Sequence, residues 1–346
     1  MTERPSDPSA PERPLQPGQP LNLDAIAAAT GVSIMTVSRV INHPEKVAEK
    51  TRTRVLDAIR DMGFILNRVA GSLSQSASRI VGTVVPPIIN TGVAEQVQGM
   101  SDMLTARGYQ LIVSPGELTS DQEEQRVMEI LGWQPAGLIL QAFPTSERIR
   151  KLLRERRYPV VEISEIEGVE PIDCVVGISN FRAAYAMTEY LHGRGYRRIA
   201  FIGATPHGND RAARRTLGYR AACEGLGMPP LIRIGPMDNT FGSRALAELT
   251  AEAPDVDAVF CASDTTAVGV IFECQRRGWS IPGRLAVAGF GDLEIASQIV
   301  PTMTTVHVDR LEMGRTAAAT MLKRVAGSTE RVVIDVGFEI VQREST

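Results

Sequence analysis

Two kinds of hydrophobic pattern alternate along the chain from residue 80 onwards. Short runs in which nearly every residue is apolar predict buried strands, and longer segments with apolar residues three and four positions apart predict amphipathic helices. This alternation is typical of parallel sheets covered by helices on both faces. The predicted strands are Ile80–Val85, Tyr109–Val113, Gly137–Gln141, Val160–Ile163, Cys174–Ile178, Ile199–Gly203, Ala258–Cys261 and Leu285–Phe290. The predicted helices are Gln96–Arg107, Asp121–Leu131, Phe181–Arg194, Arg211–Leu226, Arg244–Ala253 and Thr266–Arg277.

The length of this α/β region predicts two lobes. Residues 80–346 exceed what one hydrophobic core ordinarily holds. The strand and helix order of 80–178 also begins again in 198–290. We therefore expect two doubly wound parallel sheets that face each other across one cleft.

Residues 21–66 show helical periodicity alone. The first apolar segment ends at Gly31, which suits a left-handed cap, and Ser33 can cap a second helix over Ile34–Asn42. A third helix is predicted from about Glu49 to Met62. Two short helices joined by a glycine turn and braced by a third predict an all-α helix-turn-helix head.

The second helix of the head leaves outward the kinds of side chain that read a DNA duplex. Arg39 can fork onto guanine, and Ile34 and Met35 can contact thymine methyl groups. The hydroxyl, amide and other arginine side chains suit phosphate oxygens, which fix the register of a protein on DNA. A three-helix bundle that binds protein has the same spacing and stays open at this point. The candidate DNA-binding residues in the head are Ser33, Ile34, Met35, Thr36, Ser38, Arg39, Asn42, Thr51 and Arg52.

Two further segments flank the head. Residues 67–79 are small and polar apart from Leu73. They are too short for a stable helix alone in water, but a partner could order them, and Leu73 could then wedge between base steps in the minor groove. A plain linker is the alternative.

Residues 1–20 carry a proline at every third position from Pro5 to Pro20. This pattern predicts a disordered tail or a docking site for a proline-reading domain.

Charge separates the head from the rest of the chain. Eight basic and five acidic side chains give residues 21–79 a net charge of +3, whereas the whole chain of 346 residues carries −3. A basic head on an acidic body indicates an anionic partner for the head alone. No apolar run approaches the ~20 residues that cross a bilayer, and the N-terminus lacks the pattern of a signal peptide. We expect a cytoplasmic protein, associated with the nucleoid through DNA, and no membrane partner.

Polar side chains follow the carboxyl ends of several predicted strands, where open parallel sheets bind ligands. Arg211 and Arg215 lie four residues apart at a helix start, and both the helix dipole and the guanidinium groups favour an anion there. Asp264 and Asn180, with Glu162, can share hydroxyl hydrogens, so the set suits a small polyhydroxylated acid. A surface ion pair or a helix cap is the alternative for each residue. The candidate effector-binding residues are Pro87, Asn90, Glu162, Asn180, Arg211, Arg215, Asp264, Phe290 and Asp292.

No pattern typical of catalysis is present. The sequence lacks the nucleophile elbow, the phosphate-binding loop and the zinc-binding helix motif. Its histidines lie far apart, and only His207 falls near the predicted cleft. We expect no catalytic residues, no metal and no cofactor. The cysteines form no C-x-x-C pair and lie in apolar surroundings, which predicts buried thiols at Cys174, Cys223, Cys261 and Cys274.

Both parts of the chain resemble the lactose/galactose-repressor (LacI/GalR) family, over residues 21–346. The head resembles the family's helix-turn-helix in L-N-L-D-A-I-A-A-A-T-G-V-S-I-M-T-V-S-R-V-I-N, of which the most specific part is T-V-S-R-V-I-N. The body resembles its effector-domain signatures in S-D-T-T-A-V-G and in the G-F-G-D that precedes P-T-M-T-T-V. The gluconate-operon-repressor branch is similar in F-E-C-Q-R and A-V-A-G-F.

The resemblance implies a fold and an operator-bound state. Family members are dimers that bind pseudo-palindromic operators. They place residues matching Ile34, Met35 and Arg39 on base edges, and a leucine matching Leu73 intercalates at the operator centre as the hinge folds.

The resemblance also implies a periplasmic-binding-protein-like body, in which residues matching Arg215 and Asp264 hold the effector. Three crossovers between the lobes are expected near Ser179, Val306–Asp309 and Ser328. The expected lobes are 80–178 with 309–328, and 179–306 with 329–346.

Taken together, these features predict a homodimeric, DNA-binding transcriptional repressor. Its operator affinity would be controlled by a sugar acid such as gluconate, a ketogluconate or a phosphogluconate. In this hypothesis the effector changes lobe closure and separates the two hinges, so that minor-groove contacts are lost. Whether the effector releases or promotes DNA binding stays open. The absence of a heptad run after Gln342 favours a dimer over a tetramer.

Two other classes of function are weighed against this prediction. A solute-binding receptor without DNA function fits the body alone, but the basic head and the missing signal peptide oppose it. An enzyme acting on a sugar acid is opposed by the lack of a nucleophile or metal set.

Overall fold

The structure is a computed structural model that describes residues 23–62, 78–88, 91–115, 120–141, 146–168, 170–205 and 210–346. The chain divides into two compact units, 1–76 and 77–346. The predicted tail, and the predicted hinge up to residue 77 with its Leu73, lie outside the described residues.

The first unit is helical. Its described residues pack around a small core of side chains at helical spacing, in which Ile26, Val37 and Val55 have no exposed surface. Gly31 adopts φ +63°, the left-handed conformation predicted for it. The helices are α1 (Leu23–Thr30), α2 (Ile34–Asn42) and α3 (Glu49–Asp61), with a 3-10 turn at Pro44–Lys46.

The angle between α1 and α2 is 105°, within the range of helix-turn-helix motifs. Together the two helices are long and apolar enough to cross a membrane, but this bend separates them. No single helix among the described residues meets that criterion.

The second unit alternates strands and helices, as the hydrophobic pattern predicts. The strands are β1 (Ile80–Val85), β2 (Gln110–Pro115), β3 (Gly137–Gln141), β4 (Val160–Glu165), β5 (Cys174–Ile178), β6 (Ile199–Ala204), β7 (Leu231–Gly235), β8 (Ala258–Cys261), β9 (Ala286–Gly291), β10 (Thr304–His307), β11 (Val333–Asp335) and β12 (Glu339–Val341). The helices are α4 (Thr91–Thr105), α5 (Ser120–Leu131), α6 (Glu147–Glu155), α7 (Asn180–Gly193), α8 (Asp210–Gly225), α9 (Asn239–Glu252), α10 (Asp264–Arg276), α11 (Glu294–Gln298) and α12 (Arg310–Val325).

The strands form two six-stranded sheets. The first lobe has the order β11-β5-β4-β3-β1-β2, and the second has the order β12-β10-β9-β8-β6-β7. All neighbouring strands pair in parallel except β10 with β12. This confirms two parallel-sheet lobes, in which the carboxyl ends of the strands are available to bind a ligand.

The chain crosses between the lobes three times. It leaves the first lobe after β5, and it returns after β10, because α12 packs along α4 and against β3, β4 and β5. The third crossover is not near Ser328 as expected. Val333 of β11 pairs in parallel with Val175, so 333–335 belong to the first lobe and the chain crosses between β11 and β12. A three-residue strand is too short to show a periodic pattern.

The pattern also misses β7, β10 and β12. Strand β7 carries Arg233 at its centre and lies at a sheet edge. Strand β10 begins with Thr304 and Thr305, which read as polar although both are fully buried. Their hydroxyls find partners inside the lobe: the Thr305 hydroxyl donates to Asp264 at 2.6 Å. Polar side chains with partners of this kind can replace apolar ones in a buried strand.

The four cysteines, Cys174, Cys223, Cys261 and Cys274, are buried free thiols. Burial raises the pKa of the Cys274 thiol to about 11, which makes it inert at neutral pH.

Candidate DNA-binding head and effector site

The start of α2 is fixed by two hydroxyl groups. The Ser33 side chain accepts a hydrogen bond from the backbone N–H of Thr36 at 3.2 Å. The Ser33 and Thr36 hydroxyl oxygens lie 2.9 Å apart and share a further hydrogen bond. Ser33 is thus the N-cap predicted from the sequence, and the first turn of α2 is held in a defined position.

The exposed face of α2 carries the predicted base-reading side chains. Ile34 is 46% exposed and Met35 is 64% exposed. Arg39 is also exposed, whereas Val37 and Val40 face the core of the head. Ile34 and Met35 are exposed apolar side chains on the same helix as the exposed Arg39. This combination is typical of a surface that binds a partner.

The other candidates in the head occupy less exposed places. Thr51 and Arg52 stand in the first turn of α3 and are half-buried, as is Ser38 on α2. The side chain of Asn42 and all of Leu73 lie outside the described residues.

The second unit contains two adjoining cavities between its lobes. They share five lining residues: Gln96, Arg211, Arg215, Phe290 and Arg310. Both lobes contribute, because Gln96 stands on α4 and Arg215 on α8. The first cavity adds Gly92, Val93, Met237, Ser263 and Leu293, and the second adds Ile163, Ser164, Ile178, Asn180, Val308 and Met313.

Arg215 is held in this site by neutral groups. Its Nε donates to Asn180 Oδ1 at 2.9 Å and its Nη1 donates to the carbonyl of Ala262 at 2.7 Å. Its guanidinium lies 3.6 Å from the ring centroid of Phe290, a stacked cation–π contact. Burial, and then the nearby Arg211, lower the pKa of Arg215. In the part of the chain that the structure describes, no carboxylate forms an ion pair with it.

Asp264 is fully buried at the start of α10, beside the cavity residue Ser263. Its carboxylate accepts hydrogen bonds from the Thr305 hydroxyl at 2.6 Å and the Leu293 N–H at 2.7 Å. A Cβ at Gly289 would lie 2.1 Å from Asp264 Oδ1, so that glycine gives the carboxylate its room. Burial raises the pKa of Asp264.

Glu162 is not among the residues that the structure brings together here. The strand runs to Glu165 rather than Ile163, so Glu162 is not at its end. Its carboxylate pairs with Arg150 at 3.2 Å and accepts from the Ile172 N–H at 2.6 Å. The prediction that places Glu162 at the strand end in the cleft is therefore wrong, because an extra pair of residues continues the strand.

Glu165 occupies the strand end instead. It is fully buried and accepts a hydrogen bond from the Asn180 N–H at 2.8 Å. The Ile166 and Glu167 N–H groups donate to its other oxygen at 3.2 and 3.1 Å. Glu165 on the first lobe thus holds the start of α7 on the second.

Asp292 and Pro87 fall outside the cavity lining. Asp292 forms an ion pair with Arg343 at 2.7 Å, and its other oxygen lies 2.9 Å from His307 Nδ1. Its carboxylate is therefore engaged within the second lobe. Pro87 follows β1 without lining either cavity, and Asn90 and His207 lie outside the described residues.

The hydrophobic pattern misses several cavity residues, above all Arg310 and Gln96. Arg310 begins the helix that follows β10, after Val308 and Asp309. The strand-end rule would have selected this region had Thr304–His307 been recognised as a strand. Gln96 stands on a helix face, where one polar residue in an apolar stripe gives no comparable signal. Among the described residues, no group of histidine, cysteine, aspartate and glutamate side chains could hold a metal ion.

Comparison with known proteins identifies both units. Residues 22–67 match the family of bacterial regulatory proteins of the lacI type, and residues 188–346 match a periplasmic binding protein-like domain. The HTH-type transcriptional regulator GntR of Pseudomonas aeruginosa is 33% identical over 334 residues, which cover 95% of this chain and 96% of that protein.

Solved structures agree with this assignment. A LacI-family transcriptional regulator from Silicibacter pomeroyi has a TM-score of 0.85 and 30% identity, covering 94% of this chain and 99% of its own. The lac repressor dimer bound to operator shares the fold, with a TM-score of 0.85, 22% identity and coverage of 94% and 99%. The helix-turn-helix, the two parallel-sheet lobes and the full-length relative lead to one assignment: the chain belongs to the LacI family of DNA-binding transcriptional regulators.

Proposed function

We propose that this regulator is a homodimeric repressor whose affinity for operator DNA is controlled by a small sugar acid of the gluconate class. The effector binds in the cleft between the lobes, and the head binds a pseudo-palindromic operator. The class includes gluconate, ketogluconates and phosphogluconates.

The observation that supports an acidic effector is the environment of Arg215. A partly buried guanidinium that forms no ion pair among the described residues is costly because burial disfavours its charge. A ligand carboxylate would supply the missing anion through charge-assisted hydrogen bonds. Arg211, on the same helix, lines the same two cavities and adds a second positive charge that attracts an anionic ligand.

The rest of the lining suits hydroxyl groups. Asn180 and Gln96 offer amide groups, and Ser263 and Ser164 offer hydroxyls. Phe290 provides one flat apolar wall, against which a sugar chain can lie while its hydroxyls turn towards the polar groups.

In the head, we assign base contacts to Ile34, Met35 and Arg39 because α2 exposes them together. Thr36 and Ser38 on α2, with Thr51 and Arg52 on α3, suit phosphate oxygens. Asn42 and Leu73 remain candidates from the sequence.

Lobe closure is the means of control that we propose. The lobes already contact each other through polar groups near the cavities: Arg214 donates to the Gly168 carbonyl at 3.1 Å, and the Asn180 N–H donates to Glu165. A ligand held by both lobes changes the balance between open and closed forms only by its difference in affinity for them. In the dimer, this change alters the separation of the two hinges.

Thermal shift and calorimetric titration of the full chain test the effector class. Gluconate, 2-ketogluconate and 6-phosphogluconate are compared with sorbitol and glucose as neutral controls. At ~100 times its dissociation constant, a ligand should stabilise the protein by about 2.7 kcal/mol. A gel-shift assay with DNA upstream of the protein's own gene then shows whether the same acid alters operator affinity. Binding of neutral sugars only would contradict the proposal.

A further inference from the structure

A third arginine lines the proposed site from the opposite side of the cleft. Arg310 is the first residue of α12, which packs along α4 in the first lobe. Arg211 and Arg215 stand on α8, which packs on α7 and β6 in the second lobe. All three line the same two cavities. The cleft therefore holds cations from both lobes around one space.

Two glycines make room for the Arg310 side chain, one in each lobe. A Cβ at Gly92, in the first turn of α4, would lie 2.6 Å from Arg310 Nε. A Cβ at Gly291, at the end of β9, would lie 2.8 Å from Arg310 Nη2, and Gly291 also has φ +133°. Both distances are too short for a side chain beside an unmoved guanidinium. The backbone of both lobes thus accommodates this cation in this place.

Arg310 forms no direct ion pair in the part of the chain that the structure describes. Its Nη1 donates to the carbonyl oxygen of Gly291 in the second lobe. Of the acids around it, Asp264 is engaged by Thr305 and an N–H group, and Asp292 is paired with Arg343. The exposed Glu95 on α4 attracts Arg310 without forming an ion pair with it. The guanidinium therefore crosses the cleft to a neutral oxygen, and its charge is left uncompensated by a direct ion pair.

We infer that Arg310 is the residue through which the site distinguishes an acid from a neutral sugar of the same shape. The acid's carboxylate binds between Arg310 of the first lobe and Arg215 of the second. This inference rests on the proposed function. A carboxylate shared by two lobes forms its full set of charge-assisted hydrogen bonds only when the lobes are together, so acid binding favours closure. A neutral sugar leaves both guanidinium groups without an anion.

Calorimetric titration of the full chain with gluconate and gluconamide tests this role, because the amide keeps the hydroxyl chain and lacks the charge. We expect the unmodified protein to prefer gluconate by about 100-fold or more, the range of one to two charge-assisted hydrogen bonds. Arg310→Met should weaken gluconate binding by roughly 30- to 100-fold and change gluconamide binding less than threefold. Arg315→Met is the matched control: Arg315 lies on the same helix, outside the cavity lining, and should leave both affinities unchanged.

A second variant tests the same role of Arg310 in case Arg310→Met does not fold. Gly92→Ala keeps the arginine but displaces its guanidinium, so it should weaken gluconate binding about tenfold or more with a smaller effect on gluconamide. Equal losses for acid and amide in both variants would show that Arg310 only fills space, and would overturn the inference while leaving the proposed function in place. An unmodified protein that binds no sugar acid would overturn both.

Discussion

Arg39 of the head is exposed, whereas the cleft arginines are partly buried. Arg39 on α2 extends into solvent, but Arg215 is fixed by Asn180, Ala262 and the Phe290 ring. An exposed cation keeps its hydration, reaches any phosphate and is screened by salt. A partly buried cation has lost part of that hydration, and an anion of the right shape can compensate for the loss. Under the proposed function, the head therefore combines contacts to any phosphate with base contacts that read sequence, whereas the cleft selects an anion by its fit.

The largest expected effect separates the two units by stability. Ile26→Ala removes a fully buried side chain from the small core of the head and should cost about 2–5 kcal/mol of its stability. Operator binding should be lost, while effector binding by the second unit stays within twofold. Gel shift and calorimetry measure the two properties on one preparation. Ile34→Ala, at an exposed position of the same unit, is the control for folding and should leave the circular dichroism of the helices unchanged. A parallel loss of both activities would mean that the units do not fold independently.

The next largest effect is expected from substitution of Arg215 in the cleft. Arg215→Met should weaken sugar-acid binding by about 10- to 150-fold, equivalent to the 1.5–3 kcal/mol of hydrogen bonds to a charged group. Operator affinity in the absence of effector should not change. Arg220→Met, an exposed position on the same helix, provides the comparison in the same titration. Undiminished acid binding by Arg215→Met would remove the main support for an acidic effector.

We expect a smaller and different loss from the two arginines of the head. Arg39→Ala should reduce operator binding by about 1–3 kcal/mol and leave binding to random DNA nearly unchanged, because a base contact is lost. Arg52→Ala should weaken both kinds of DNA alike and lower the slope of log affinity against log salt by about 1. Fluorescence anisotropy at several salt concentrations measures both. Equal losses on operator and random DNA for Arg39→Ala would refute its base-reading role.

The smallest effect concerns the buried acid of the cleft. Burial raises the pKa of Asp264, so the folded protein holds this proton more tightly than the unfolded chain does. Preferential proton binding by folded Asp264 stabilises the protein fully below about pH 3.9, the pKa of an aspartate in the unfolded chain. This stabilisation is lost as the pH rises through the higher pKa of Asp264 in the folded protein. Compared with Asp264→Asn, the free energy of unfolding of the unmodified protein should fall from pH 4 upwards. Urea unfolding of both proteins across the acid range measures the difference, and a constant difference would contradict the assignment.

Much of the site follows from strand order. The rule that ligands bind at the carboxyl ends of parallel strands places Asn180, Arg211, Arg215 and Phe290 in the cavity lining, as the structure does. The same rule fails for Glu162, because the apolar pattern ends two residues before the strand does. It overlooks Arg310, because β10 is made of threonines whose buried hydroxyls have partners that the sequence does not display.

The sequence by itself determined the division into two units, the alternation of strands and helices in both lobes, and the outward face of α2. These features depend on local spacing, and local spacing sets which side of a helix or strand is apolar. Only the tertiary structure decided which of the described charged groups form no ion pair. Whether Asp264 pairs with an arginine or with Thr305, and whether Arg310 reaches the opposite lobe, depends on contacts between segments far apart in the chain. Such contacts arise only when both lobes are folded and facing each other.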